Sequence, residues 1–154
     1  MSELLVWRLC AAQYAESAFD GEGARLYGGR WSPRGIPLCY CAESRALAVV
    51  EVLANADEPS RLTRLAWQLI PAVIPASLVE KPARYPEGWR EYPYNSATRE
   101  FGARWAGERR TTAIRVPSAV VPGEFNYLIN PFHPDFEQVQ IGRPERFAFD
   151  ARLA

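Results

Sequence analysis

The sequence predicts an α+β fold, a compact single domain over residues 1–154 with a mixed or antiparallel β core and flanking helices. Three observations point there. At 154 residues the chain has the size of one ordinary domain and can bury about two-thirds of its unfolded surface. Its hydrophobic content of 48%, with 5 Trp, 7 Tyr and 7 Phe, excludes disorder as the main state. Segments patterned as strands outnumber helical ones and do not alternate with them, which argues against a doubly wound parallel sheet.

The elements follow in order. Residues 4–9 read as a first strand, because Leu4, Leu5, Val6, Trp7 and Leu9 are apolar. Gly21, Gly23, Gly28 and Gly29 then predict a loop over 19–37. Residues 38–42 make a short strand, and Ser44 is a suitable N-cap for a helix over 45–54, a run free of glycine and proline. Alternation of Leu65, Trp67 and Leu69 predicts a strand over 62–70. Residues 71–93 are proline-rich and predicted irregular. A helix over 96–106 is expected despite Gly102, with Phe101 and Trp105 on one face. Residues 113–121 should be extended around Pro117, and 139–141 and 147–149 resemble short closing strands.

Charge and cysteine usage exclude several classes. Lys+Arg and Asp+Glu are both 18, so the chain lacks the basic excess that direct nucleic-acid binding needs. No apolar run is long enough for a membrane span, and no leader pattern precedes the first strand, so a cytoplasmic location is expected. Cys10, Cys39 and Cys41 make an odd count, expected as reduced, buried thiols. With no second thiol pair and no histidine nearby, they make a poor zinc site, and no metal is expected. His133 is the only histidine, and no Gly-x-Ser-x-Gly elbow exists, so a serine hydrolase is disfavoured. Local basic patches such as Arg109-Arg110 are expected to be solvated surface.

Three segments could carry chemistry. In the helix after Ser44, residues Leu47, Val50, Glu51 and Ala54 follow the spacing of an inward stripe, and Val49, Val52 and Leu53 make the other faces apolar. Glu51 is thus a lone carboxylate in apolar company, which calls for an arginine partner or an opening to a pocket. In Tyr27-Gly28-Gly29-Arg30-Trp31, two glycines permit close backbone approach to a ligand and Arg30 could fork onto a phosphate; a plain turn with an exposed arginine is the other reading. Tyr40 lies in the strand just before the Glu51 helix, as a core residue or a stacking platform. Ser118, Asn126 and Asn130 punctuate the apolar stretch 116–131 and could bond their own loop or a ligand.

Together these motifs resemble one family, the RES domain, named for Arg, Glu and Ser residues. The resemblance runs over essentially the whole chain. It rests on Gly29-Arg30-Trp31-Ser32-Pro33-Arg34-Gly35, on Tyr40-Cys41-Ala42-Glu43-Ser44 through Ala48-Val49-Val50-Glu51-Val52-Leu53, and on Pro117-Ser118. It continues in Asn126-Tyr127-Leu128-Ile129-Asn130-Pro131-Phe132-His133-Pro134-Asp135 and ends at Phe149-Asp150-Ala151-Arg152-Leu153. The resemblance implies a toxin of a bacterial type II toxin–antitoxin pair, on a fold related to ADP-ribosyltransferases. It implies destruction of NAD⁺ as substrate, by hydrolysis or phosphorolysis, with no cofactor. It further implies a homodimer inhibited by an Xre-like antitoxin with a helix-turn-helix domain. Arg30, Tyr40 and Glu51 match the family's NAD-pocket residues and Ser118 its serine. Arg8 matches an arginine on the first strand, and Asn126 falls in the C-terminal motif. The alternatives are an ADP-ribosyltransferase acting on a macromolecule, a catalytically silent partner of a DNA-binding protein, and an RNA-cleaving toxin, the last weakened by the charge balance and the single histidine.

Overall fold

A computed structural model describes residues 2–154. Its spine is a long antiparallel pair. Strand β1, Glu3–Ala11, runs beside β3, Trp67–Pro75, in unbroken register from Glu3↔Pro75 to Ala11↔Trp67. On its other side β1 meets β2, Cys39–Ala42, at one register pair only, Trp7↔Ala42. Strand β2 instead pairs over its full length with β6, Phe125–Ile129, which pairs in turn with β5, Ala113–Pro117. Strand β4, Val79–Glu80, lies parallel to β5; the short β7, Gln140–Ile141, and β8, Glu145–Phe147, both border β3. The result is a curled, mixed eight-stranded sheet of order β4-β5-β6-β2-β1-β3-β7, as the α+β prediction requires.

Three helices complete the fold: α1, Glu22–Tyr27, α2, Arg45–Asn55, and α3, Ser96–Glu108. Alternation along the strands sends side chains to two faces. One face buries Val6, Cys39, Cys41, Ile70, Ile74, Tyr127 and Ile129 together. On the other face two cores sit apart. Helix α2 packs Leu47, Ala48 and Val49 on Trp7, Leu9 and Leu69, whereas Trp105 and Ala106 of α3 pack on Trp31, Ile114, Val116 and Leu128. The parting of β1 from β2 lies between these two cores.

Several predicted elements are adjusted. The loop over 19–37 contains α1, flanked by Gly21 and Gly28 at φ 77° and 70°, values that a side chain rarely tolerates. The strand predicted over 62–70 begins only at Trp67, because Pro59–Arg64 turns as a 3₁₀ helix, and it continues through the stretch predicted irregular to Pro75. Pro71 is tolerated there for a reason of position. Its carbonyl faces the β7/β8 side, accepting from Gly142 N–H at 2.8 Å, so its missing N–H falls in the break between those strands and takes no bond from the β1 ladder. The extended run over 113–121 ends at Pro117, where the chain turns through Ser118. Gly102, within α3, faces the Trp31 backbone, where a Cβ would clash with the carbonyl oxygen.

The remaining features have structural work. His133 is buried; its Nε2 donates to the Arg109 carbonyl at 3.0 Å, and its Nδ1 accepts from Asp135 N–H at 3.0 Å and faces Thr112 Oγ1. The ring ties down the end of α3. Arg110 pairs with Glu80 at 2.9 Å and with Glu108, so that half of the basic patch is neutralised by its own neighbours. All three thiols are free and buried; burial pushes Cys39 up to about 12 and raises Cys10 and Cys41, which keeps them protonated and inert. Among the described residues no helix is long and apolar enough to cross a membrane.

Candidate active site

The site opens where β1 and β2 part. Because β2 stays bonded to β6, the Tyr40 carbonyl is left for a side chain, and Arg8 of β1 supplies it, donating from Nη1 at 3.1 Å. Arg8 Nε, buried beside the gap, has no hydrogen-bond partner. Arg8 borders the cavity, so its guanidinium adds a cationic group to the wall there, while the unpartnered Nε itself is covered.

Glu51 faces the same opening from the third turn of α2. Ser44 caps this helix, accepting from Leu47 N–H at 3.0 Å, which fixes which residues face the sheet. The buried turn is Leu47, Ala48 and Val49, whereas Glu51 and its neighbours Val50, Val52 and Leu53 are half-buried and Ala54 is exposed. The inward stripe drawn through Val50 and Ala54 is thus corrected: the second half of α2 is less buried than the first, and Glu51 there borders a cavity. Among the described residues no arginine pairs with it. Ser118 Oγ donates to Glu51 Oε2 at 2.7 Å, and Asn126 Nδ2 donates to the same oxygen at 2.7 Å. Oε1 receives no protein hydrogen bond among the described residues. Two neutral donors therefore hold the carboxylate in place and leave its other oxygen free.

Ser118 is committed to this task. Its hydroxyl accepts from Val120 N–H at 3.1 Å and Val121 N–H at 3.0 Å while giving its only proton to Glu51. It positions the carboxylate and has nothing left for a ligand. Asn126 keeps Oδ1 and borders the cavity.

Tyr40 and Arg30 form the opposite wall. The Tyr40 hydroxyl receives Trp31 N–H at 3.1 Å and bonds Ser32 Oγ at 2.7 Å, and burial pushes the phenol up to about 12. It therefore stays neutral and presents its ring rather than an acid. A Cβ at position 29 would lie 2.7 Å from the Tyr40 hydroxyl oxygen, so Gly29 serves the approach of that tyrosine. The next residue, Arg30, donates through Nη1 to the carbonyls of Trp89 and Glu91, both at 2.8 Å, and lies 5.2 Å from the centre of the Tyr94 ring. Desolvation pulls its pKa down, and the nearby Glu51 charge partly opposes this.

The cavity has two lobes that meet at Arg8, Tyr40, Glu51, Asn55 and Asn126. The inner one, ≈ 160 Å³, is walled by Trp7, Leu9, Ala42, Ala48 and Val52. The outer one, ≈ 660 Å³, runs past Arg30 to Tyr27, Tyr92 and Tyr94, within the range of small-molecule sites. The structure thus brings Arg8, Arg30, Tyr40, Glu51 and Asn126 to one hollow, with Ser118 behind Glu51; Asn130 lies outside it and bonds Phe132 N–H. Sequence reasoning missed Asn55, which stands four residues after Glu51 on the same helix face, and it missed Tyr92 and Tyr94, hidden in the proline-rich stretch. No group of three or more His, Cys, Asp or Glu able to hold a metal occurs among the described residues.

Residues 5–150 match the RES domain. A protein named Prs ADP-ribosylating toxin, from Sphingobium sp. strain YBL2, is 33% identical, and the match covers 96% of this chain and 94% of that protein. Proteins named toxin Res from Yersinia enterocolitica and Photorhabdus laumondii are 32% and 35% identical; these matches cover 97% of this chain and 99% and 97% of theirs. A chain from the crystal structure of the M. tuberculosis MbcT–MbcA toxin–antitoxin complex overlays with a TM-score of 0.76 at 21% identity, covering 96% of this chain and 85% of that one. At that identity the likeness is one of fold.

Proposed function

This chain belongs to the RES domain family, and from that premise we propose that it is the toxin of a toxin–antitoxin pair, destroying NAD⁺ by breaking the bond between nicotinamide and ribose. The observation that carries the reading is the free oxygen of Glu51, a carboxylate without an ion-pair contact among the described residues, at the junction of two lobes that also hold Arg8 and Arg30. Cleavage of that bond builds positive charge on the sugar, as in glycoside hydrolysis. A carboxylate pre-fixed by neutral donors in a poorly solvated site stabilises such charge without reorganising. Nicotinamide departs neutral, so no strong general acid is required, in keeping with a site that has no histidine.

The lobes suggest an orientation. The inner one, with its apolar walls and the amides of Asn55 and Asn126, suits the nicotinamide ring. Glu51 Oε1 then meets the adjoining ribose, the ring of Tyr40 backs it, and Arg8 and Arg30 take the pyrophosphate. Water or inorganic phosphate is the acceptor of the ADP-ribose.

The test is nicotinamide release from NAD⁺ by the purified protein, with and without inorganic phosphate, the product identified by mass. Glu51→Gln keeps the fold and most NAD⁺ binding and loses a hundredfold or more, about what one pre-organised transition-state contact contributes. Near-normal release by that variant rejects the assignment. Arg30→Ala chiefly raises KM, because a phosphate contact exists in the ground state as well.

A second reading draws on the name of the Sphingobium relative, an ADP-ribosylating toxin. The same groups would cleave NAD⁺, with a macromolecule as acceptor. Labelled NAD⁺ in a cell lysate separates the two: label on macromolecules supports transfer, free ADP-ribose or its phosphate supports degradation. The fold shared with a chain of a toxin–antitoxin complex supports an antitoxin partner here, proposed to be Xre-like and to bind a homodimer of this chain in the cytoplasm, where NAD⁺ is found.

A further inference from the structure

The outer lobe has a rim that chemistry at Glu51 leaves without a task. Tyr27, the last residue of α1, and Tyr92, in the segment before α3, are 76% and 83% exposed, yet both border the cavity. Among the described residues neither hydroxyl makes a hydrogen bond, and neither ring stacks on an aromatic or a guanidinium. Tyr94 differs, since it lies between Arg30 and Arg99, at 5.2 and 5.5 Å. The lobe's lining beside Tyr27 is made of small residues, Gly23, Ala24 and Gly28, and a Cβ at Gly23 would meet nothing within 4 Å. Two unoccupied aromatic faces beside an open lining of small residues can take a planar ring.

We infer that Tyr27 and Tyr92 form a stacking site for the purine base of the dinucleotide, its adenine half, at the mouth of the cavity. This rests on the proposed function. That reading fixes nicotinamide in the inner lobe and the pyrophosphate at Arg8 and Arg30, so the adenosine half extends outward to the tyrosine rim. Stacking needs only the π-face of the base, and no buried polar side chain stands beside these rings to read its edge. The site therefore accepts hypoxanthine in place of adenine with little loss.

The experiment is calorimetric titration with ADP-ribose, alongside nicotinamide release from NAD⁺ and from nicotinamide mononucleotide, which lacks the adenosine half. Tyr27→Ala and Tyr92→Ala each weaken ADP-ribose binding about tenfold, at the lower end for base–aromatic stacking, and Tyr92→Phe binds as the wild type does. Turnover of the mononucleotide is untouched by all three. Both positions are exposed, so folding is preserved. Unchanged ADP-ribose affinity in both alanine variants overturns the stacking site, as does failure of the wild type to bind ADP-ribose or equal loss of turnover on both nucleotides. A protein that binds ADP-ribose through these tyrosines but never releases nicotinamide upholds the stacking site and refutes the proposed chemistry instead.

Discussion

Glu51 is held by a serine and an asparagine where a salt link would ordinarily stand, and this choice of partners has consequences that can be measured one residue at a time. Ser118 is 1% exposed and serves three groups at once, Glu51 and two loop N–H donors. Ser118→Ala leaves those N–H groups and the Glu51 oxygen short of a partner, at about 1–3 kcal/mol of stability by chemical denaturation. Its activity falls with the carboxylate's loss of alignment. Asn126→Ala deprives Glu51 of one donor but leaves the loop intact, so activity falls with a smaller change in stability. If the two variants lose stability equally, the serine's second role is mistaken.

Among the elements, α2 was the most legible, because Ser44 announces the cap and the following run carries neither glycine nor proline. Less legible was β3, whose prolines read as irregular chain until the broken β7/β8 border shows where a missing N–H costs nothing. Helix α1 was concealed by the glycines that turn the chain at its ends. Gly102 of α3 looked like a weakness in a helix, yet it is the contact that lets α3 lie against the Trp31 backbone. Gly102→Ala must push α3 off the turn that carries Trp31. Thermal unfolding should show a loss of at least about 1–3 kcal/mol, the scale of overpacked core sites. Because Trp31 N–H anchors Tyr40, NAD⁺ turnover should fall as well. A variant as stable as the wild type would mean that α3 can slide without cost.

For the whole molecule, the sequence supplied the fold class and five side chains of the hollow, Arg8, Arg30, Tyr40, Glu51 and Asn126, but not the opening that unites them. That opening depends on β2 choosing β6 over β1 as its full partner, a pairing between segments some ninety residues apart that local pattern cannot record. The buried acids of this assembly also set its response to alkali. Burial raises Tyr40 from 10.0 and Cys39 from 9.0, each to about 12, so above pH 9 the unfolded chain releases protons that the folded one retains. Stability present at neutral pH therefore declines as pH climbs from about 9 towards 12. Melting temperatures across this window should fall, and Tyr40→Phe should flatten part of the decline. A flat profile to pH 11 contradicts the buried phenol and thiol.

The sheet order gives the growing chain a safeguard. Glu51 is made early, but both groups that aim it arrive at Ser118 and Asn126, and β2 has no full partner until β6 has been synthesised. A nascent polypeptide still short of Phe125 carries the acid without its alignment and the central strand without its neighbour. The ribosome can thus carry most of this protein's translation through before the carboxylate is aimed.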